Sequence, residues 1–139
     1  MRNRDLQALV AYRFQRATEA LEEAYLMQDI GHWNTCANRL YYAAFYAVSG
    51  LLLQDGHTAT KHSGVKALFN QHYVKTGKVS KAMGRLYNRL FDLRQEGDYL
   101  DFVTLDAETV APLLEPTANL IAHLRALAKL TPPSDREKP

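Results

Sequence analysis

The sequence predicts an all-α fold, a bundle of about five helices. Apolar residues recur at three- and four-residue spacing through long blocks, and turn residues separate the blocks. No alternating run is long enough to argue for a sheet, and there is no internal repeat. A length of 139 residues fits one domain. We read 1–130 as that domain and 131–139, rich in Pro and charge, as a disordered tail with no core to join.

The first helix runs from Asp5 to about Gln28, where Leu6, Leu9, Val10, Ala17, Leu21 and Ala24 share a face. Asp29-Ile30-Gly31 breaks it. The second spans His32 to Leu53 and carries two adjacent apolar stripes, Trp33-Ala37-Leu40-Ala44-Ala47-Leu51 and Tyr41-Phe45-Val48-Leu52. Burial over more than half the circumference makes it the central helix. A third stripe of Thr35, Arg39, Tyr42, Tyr46 and Ser49 has polar tips, which suits a cleft or a partner chain.

Gln54-Asp55-Gly56-His57 signals a turn. The third helix is expected from Lys61 to Gly77, with Gly77 as its stop. The fourth runs from Ser80, a good N-cap, to about Glu96, and buries Met83, Leu86, Tyr87, Leu90 and Leu93. The fifth starts near Thr104 or Asp106 and continues to Leu130. Pro112 and Pro116 should bend it or leave its early part irregular, because an interior proline costs about 3 kcal/mol.

Composition excludes several classes. Hydrophobic residues make up 47% and charged residues 23%, as in globular domains rather than disordered chains. A formal charge of +2 is far from the basic footprint of a strong non-specific nucleic-acid binder, so such a role would rest on a local cleft. The single Cys36 cannot form an internal disulfide, which fits a reducing compartment, and on a helix it reads as a small buried hydrophobe. No run approaches a membrane span, and Met1 to Asp5 precedes no signal-peptide core, so a cytoplasmic location is expected. His32, His57, His72 and His123 lack metal-ligand spacing, and no phosphate loop, dinucleotide fingerprint or serine-hydrolase elbow occurs. Neither metal nor cofactor is expected.

Three polar segments stand out against this background: Asn38-Arg39-Leu40-Tyr41-Tyr42-Ala43-Ala44-Phe45, Lys61-His62-Ser63-Gly64-Val65 and Arg94-Gln95-Glu96-Gly97-Asp98-Tyr99. Charge and phenols beside apolar faces must find partners or a ligand. Arg94 continues the apolar side of the fourth helix. Either it caps the helix end and pairs with Asp98, four residues on, or it offers a guanidinium fork to phosphate. His62 at a helix start either packs and caps or exchanges protons near neutral pH. Tyr41 and Tyr42 point about 100° apart, so Tyr41 belongs to the core and Tyr42, grouped with Arg39 and Tyr46, to a cleft or a dimer contact.

The same segments, taken in order with Tyr73-Val74-Lys75-Thr76-Gly77, resemble the HEPN domain family over about Leu9 to Leu130. The resemblance implies an antiparallel helical bundle that forms homodimers. It further implies a nucleotidyltransferase partner in toxin–antitoxin or defence-like pairs. Many members are metal-independent ribonucleases that use an Arg followed by four to six residues and then His. Arg94 matches the motif's Arg, but Tyr99, Leu100 and Asp101 occupy the positions where His would fall. A phenol with a reference pKa near 10 is a poor proton acceptor at neutral pH.

The expectation is therefore a nucleotide- or RNA-phosphate-binding module without standard ribonuclease activity, its ligand-binding residues Arg39, Tyr42, His62, Arg94, Asp98 and Tyr99. No residue is assigned outright as catalytic; Arg94, His62 and Tyr99 are the candidates. One alternative is a ribonuclease in which His62 or Tyr99 works with Arg94. Another is a helical dimer whose polar segments serve assembly alone.

Overall fold

The computed structural model describes residues 3–100 and 102–130; the expected tail, 131–139, lies outside the described residues. Every regular element among them is helical. The elements are α1 (Asn3–Asp29), α2 (Trp33–Gln54), α3 (His62–Phe69), α4 (Lys81–Tyr99), α5 (Ala107–Val110) and α6 (Leu114–Leu127). A π-helical turn, Asn70–Val74, extends α3, and a 3-10 turn, Ala111–Leu113, joins α5 to α6. Counting α5 to α6 as one broken rod gives the five helical segments that the periodicity predicts.

α1 and α2 form a hairpin. Arg13 reaches Ser49, Arg16 reaches Tyr46, and Glu23 meets Arg39. Partners fall along α2 as residue numbers rise along α1, so the pair is antiparallel. α2 sits at the centre: Cys36, Ala37, Leu40, Tyr41, Ala43, Ala44, Ala47, Val48, Leu51 and Leu52 are all buried, against α1 and the later helices. Each fully buried Leu there contributes about 1.5–3 kcal/mol relative to exposure. Burial pushes the Cys36 thiol up to about 11, so it stays protonated and inert at neutral pH.

Two helices differ from expectation in informative ways. The third does not run as one α-helix to Gly77. The Asn70 side chain donates to the Lys66 carbonyl (2.9 Å) and to Asn88 Oδ1 (3.2 Å), competing with the normal ladder. The backbone widens there, and Lys75 N–H bonds Asn70 O at 2.8 Å before Gly77, at φ +83°, turns the chain.

The fourth helix starts as expected, with Ser80 Oγ accepting from Met83 N–H at 3.1 Å, but continues through Gly97 to Tyr99. A Cβ at Gly97 would lie 3.3 Å from Leu105 and 3.7 Å from Asn34, so this glycine permits close approach rather than ending the helix. The prolines break the last rod as expected. Asp106 caps α5 by accepting from Thr109 N–H (2.9 Å), Pro112 falls in the 3-10 turn, and Pro116 sits in the first turn of α6, where its missing N–H costs little.

Among the described residues, no helix is long and apolar enough to cross a membrane.

Candidate functional site

The α2 stripe that places Tyr41 and Tyr42 one residue apart aims them in two directions. Tyr41 is fully buried, and burial pushes its phenol up to about 12. Tyr42 is half-buried and meets the inner face of α4. Between them lies Arg94, brought there because it follows Leu90 and Tyr87 on the apolar face of α4.

Arg94 is only 6% exposed. Its guanidinium lies over three phenol rings: Tyr41 at 5.0 Å, Tyr42 at 5.6 Å and Tyr99 at 5.3 Å. Nη1 donates to the hydroxyls of Tyr42 (3.2 Å) and Tyr99 (3.3 Å). Nε is buried with no partner. Among the described residues no carboxylate pairs with Arg94; the ion pairs there are Arg16–Glu19 and Arg39–Glu23.

A pairing of Arg94 with Asp98 does not occur, although the helix persists far enough. Asp98 instead accepts from Asn38 Nδ2 at 2.8 Å. Asn38 in turn accepts from Arg39 Nε (3.1 Å), and Arg39 bonds Glu23 (3.0 Å) while lying over Tyr42 at 5.2 Å. Arg before Asp is the weaker order for a pair four residues apart on a helix, and Asp98 finds an amide donor across the α2–α4 contact.

His62, the first residue of α3, stacks on Phe45 at 4.4 Å and lies edge-on to Tyr42 at 5.7 Å. Its Nδ1 and the Tyr41 hydroxyl are 2.7 Å apart. Burial, and secondarily the positive charge of Arg94, hold His62 below the ordinary imidazole range. The imidazole is therefore neutral at pH 7 and shares both tyrosines with the guanidinium.

Six expected residues thus form one connected group across α2, α3 and α4. Arg94, Tyr42 and His62 make its inner part, and Arg39, Asp98 and Tyr99 its outer rim. Asp101 lies outside the described residues. Tyr99, 68% exposed, is the outermost wall. On its far side α4 borders a cleft of about 450 Å³, lined by Arg89, Asp92, Gln95, Glu96, Tyr99 and Leu100.

Asn34 went unnoticed in the sequence. It donates to Gly97 O (3.4 Å) and Val103 O (3.1 Å) and accepts from Leu105 N–H (2.7 Å). One amide at the start of α2 thereby fixes the end of α4, where Tyr99 stands. A polar residue in a helix's first turn gave no hint of partners more than sixty positions away.

The arrangement is a buried, preorganised guanidinium with an unused donor, ringed by phenol hydroxyls. No group of three or more His, Cys, Asp or Glu among the described residues could hold a metal ion.

The family model for the HEPN domain matches residues 10–127. A "UPF0332 protein" of Thermotoga maritima is 46% identical over 102 residues, covering 73% of this chain and 77% of the relative. A protein of Methanocaldococcus jannaschii named "Putative toxin" is 28% identical over 111 residues, covering 80% and 73%. A further "UPF0332 protein", of Pyrococcus horikoshii, is 36% identical over 67 residues, covering 48% and 47%.

Proposed function

The chain belongs to the HEPN domain family, and on that footing we propose that it is a toxin-like HEPN module that binds the phosphate of a nucleotide or RNA through Arg94. In this reading it acts in the cytoplasm as a homodimer beside a nucleotidyltransferase, in a toxin–antitoxin or defence-like pair. The toxin-like part draws on the name of the Methanocaldococcus relative.

One observation carries the phosphate reading: Arg94 is buried, has a bare Nε, and lacks a carboxylate partner among the described residues. Burying a charge without a counter-charge costs several kcal/mol. An incoming phosphate would supply that counter-charge and accept from Nε together with a terminal nitrogen. Tyr42 and Tyr99 would release Nη1 and donate to the phosphate oxygens. Asp98, held by Asn38, stays clear of the guanidinium and does not compete.

The test is a thermal melt of the purified protein with nucleotides and with short RNA. A ligand at a hundred times its Kd stabilises by about 2.7 kcal/mol, a clear rise in Tm. Arg94→Gln should remove that rise. Absence of any shift, with no complex formed with a nucleotidyltransferase encoded nearby, would retire the proposal.

A second reading, a metal-independent ribonuclease, is favoured by one feature, the neutral His62 sharing Tyr41 and Tyr42 with Arg94. Here Arg94 would steady the scissile phosphate and His62 would take the proton of the ribose hydroxyl. It predicts cleavage of total RNA in EDTA that His62→Gln and Arg94→Gln both abolish. Activity lost with Tyr99→Phe but kept in His62→Gln would move the proton transfer to Tyr99.

A further inference from the structure

The Arg94 group does not end at Tyr42. The Tyr42 and Tyr46 rings are 6.1 Å apart one turn along α2, and the Arg16 guanidinium lies over Tyr46 at 5.1 Å. Arg16 also donates from Nη2 to the Tyr46 hydroxyl and from Nη1 to the Tyr12 hydroxyl, each at 3.3 Å. Tyr12, Arg16, Tyr46, Tyr42, Arg94 and Tyr99 therefore form an unbroken ladder of phenol and guanidinium groups, with Arg39 over the Tyr42 ring.

It crosses α1, α2 and α4, with successive ring and guanidinium centres from Arg16 to Tyr99 lying 5.1 to 6.1 Å apart. Both ends are open to solvent, Tyr12 at 50% and Tyr99 at 68% exposure. Scattered surface charges would not produce this continuity, which requires residues from three helices in register.

We propose that this ladder is a track for a single-stranded polynucleotide several nucleotides long, running from Arg94 to Tyr12. The proposal rests on the reading of Arg94 as a phosphate site and extends it from one phosphate to a strand. Single strands are bound by cations that follow the backbone and by flat groups on which bases stack, and tyrosine rings and guanidinium planes both serve.

The acids along the track have a defined place in this scheme. Glu19 holds Arg16 at 3.5 Å and Glu23 holds Arg39 at 3.0 Å, occupying the cations until phosphates displace them. That occupancy matches Arg16 and Arg39 with acids in the free protein. It also yields a signature peculiar to the track: removing the acids should tighten strand binding.

The experiment measures fluorescence anisotropy of a labelled 12-nucleotide uridine RNA and of the matching thymidine DNA, with UMP titrated separately by calorimetry. Arg16→Gln and Tyr12→Ser should each weaken binding of the 12-mer by about fivefold or more, the loss expected for one stacked base, and leave UMP unaffected. Glu19→Gln combined with Glu23→Gln should strengthen it, and Arg16→Gln should lower the salt dependence. The ratio of the two 12-mers identifies the preferred sugar.

If Arg16→Gln and Tyr12→Ser bind the 12-mer like the wild type while Arg94→Gln does not, the track is refuted and the phosphate site stands. If Arg94→Gln is also silent, both fall. If the Arg16 and Tyr12 variants instead change the sedimentation coefficient of the ligand-free protein, the ladder is a contact between copies of the chain, and the track is refuted.

Discussion

Arg94 and Arg125 are placed alike and finished differently. Arg125, half-buried on α6, lies over the Phe14 ring at 5.4 Å, and its Nη2 donates to Thr18 Oγ1 (2.8 Å) and Phe14 O (3.3 Å). Among its acceptors are a backbone carbonyl and a hydroxyl of α1, so it staples α6 to the first helix. Arg94 is more deeply buried and also lies over rings, but its acceptors are only phenols, and one nitrogen is bare. Aromatic stacking alone does not separate a structural arginine from a ligand-seeking one. A buried nitrogen that meets no acceptor, as Nε of Arg94 does, is what sets them apart.

The largest test of that contrast is at Arg94 itself. Arg94→Gln should cost at least about tenfold in nucleotide affinity by calorimetry, since hydrogen bonds to charged groups are worth about 1.5–3 kcal/mol. Arg94→Leu should leave the Tm of the unliganded protein level or higher, because it removes a buried charge. A steep fall in Tm would make Arg94 a staple like Arg125.

Next comes the support beneath Tyr99. Asn34→Ala breaks three hydrogen bonds that hold the end of α4 and should lower stability by about 1–3 kcal/mol in urea melts, with weaker nucleotide binding alongside. Binding unchanged at that loss of stability would separate Tyr99 from ligand recognition.

Arg125→Leu should cost about 1 kcal/mol of stability in the same melts and leave nucleotide affinity where it was. A shared loss of affinity would erase the distinction between the two arginines.

The smallest effect concerns pH. The folded protein holds His62 neutral more firmly than the unfolded chain does, so on acidification the unfolded chain takes the proton first. The stabilisation is complete above the ordinary imidazole value of about 6.5 and declines as pH falls below it towards the lower folded value. Comparison of wild type with His62→Gln between pH 5 and 8 should show a flatter stability profile in the variant.

Sequence periodicity made the helices, the central place of α2 and the division between Tyr41 and Tyr42 legible, because an apolar stripe reports directly on which face is buried. It could not show where polar tips go. Asp98 turned to Asn38 rather than Arg94, Asn34 reached across to Val103 and Leu105, and Asn70 unwound its own helix by taking the Lys66 carbonyl. Each outcome depends on a donor or acceptor carried by a different turn or a different helix, and spacing along one helix is silent about it. Arg16 escaped notice for the same reason: on α1 it reads as solvated charge, and only the antiparallel register sets it over Tyr46.

The adjacency of Tyr41 and Tyr42 has a last consequence. One side chain is locked among Tyr87, Phe91 and Phe45, and the next inherits its heading from that lock. A rotation of α2 large enough to redirect Tyr42 would drag Tyr41 out of its seat. Evolution could therefore alter what the outer surface grips only by exchanging side chains on it, since the rod that carries them is not free to turn.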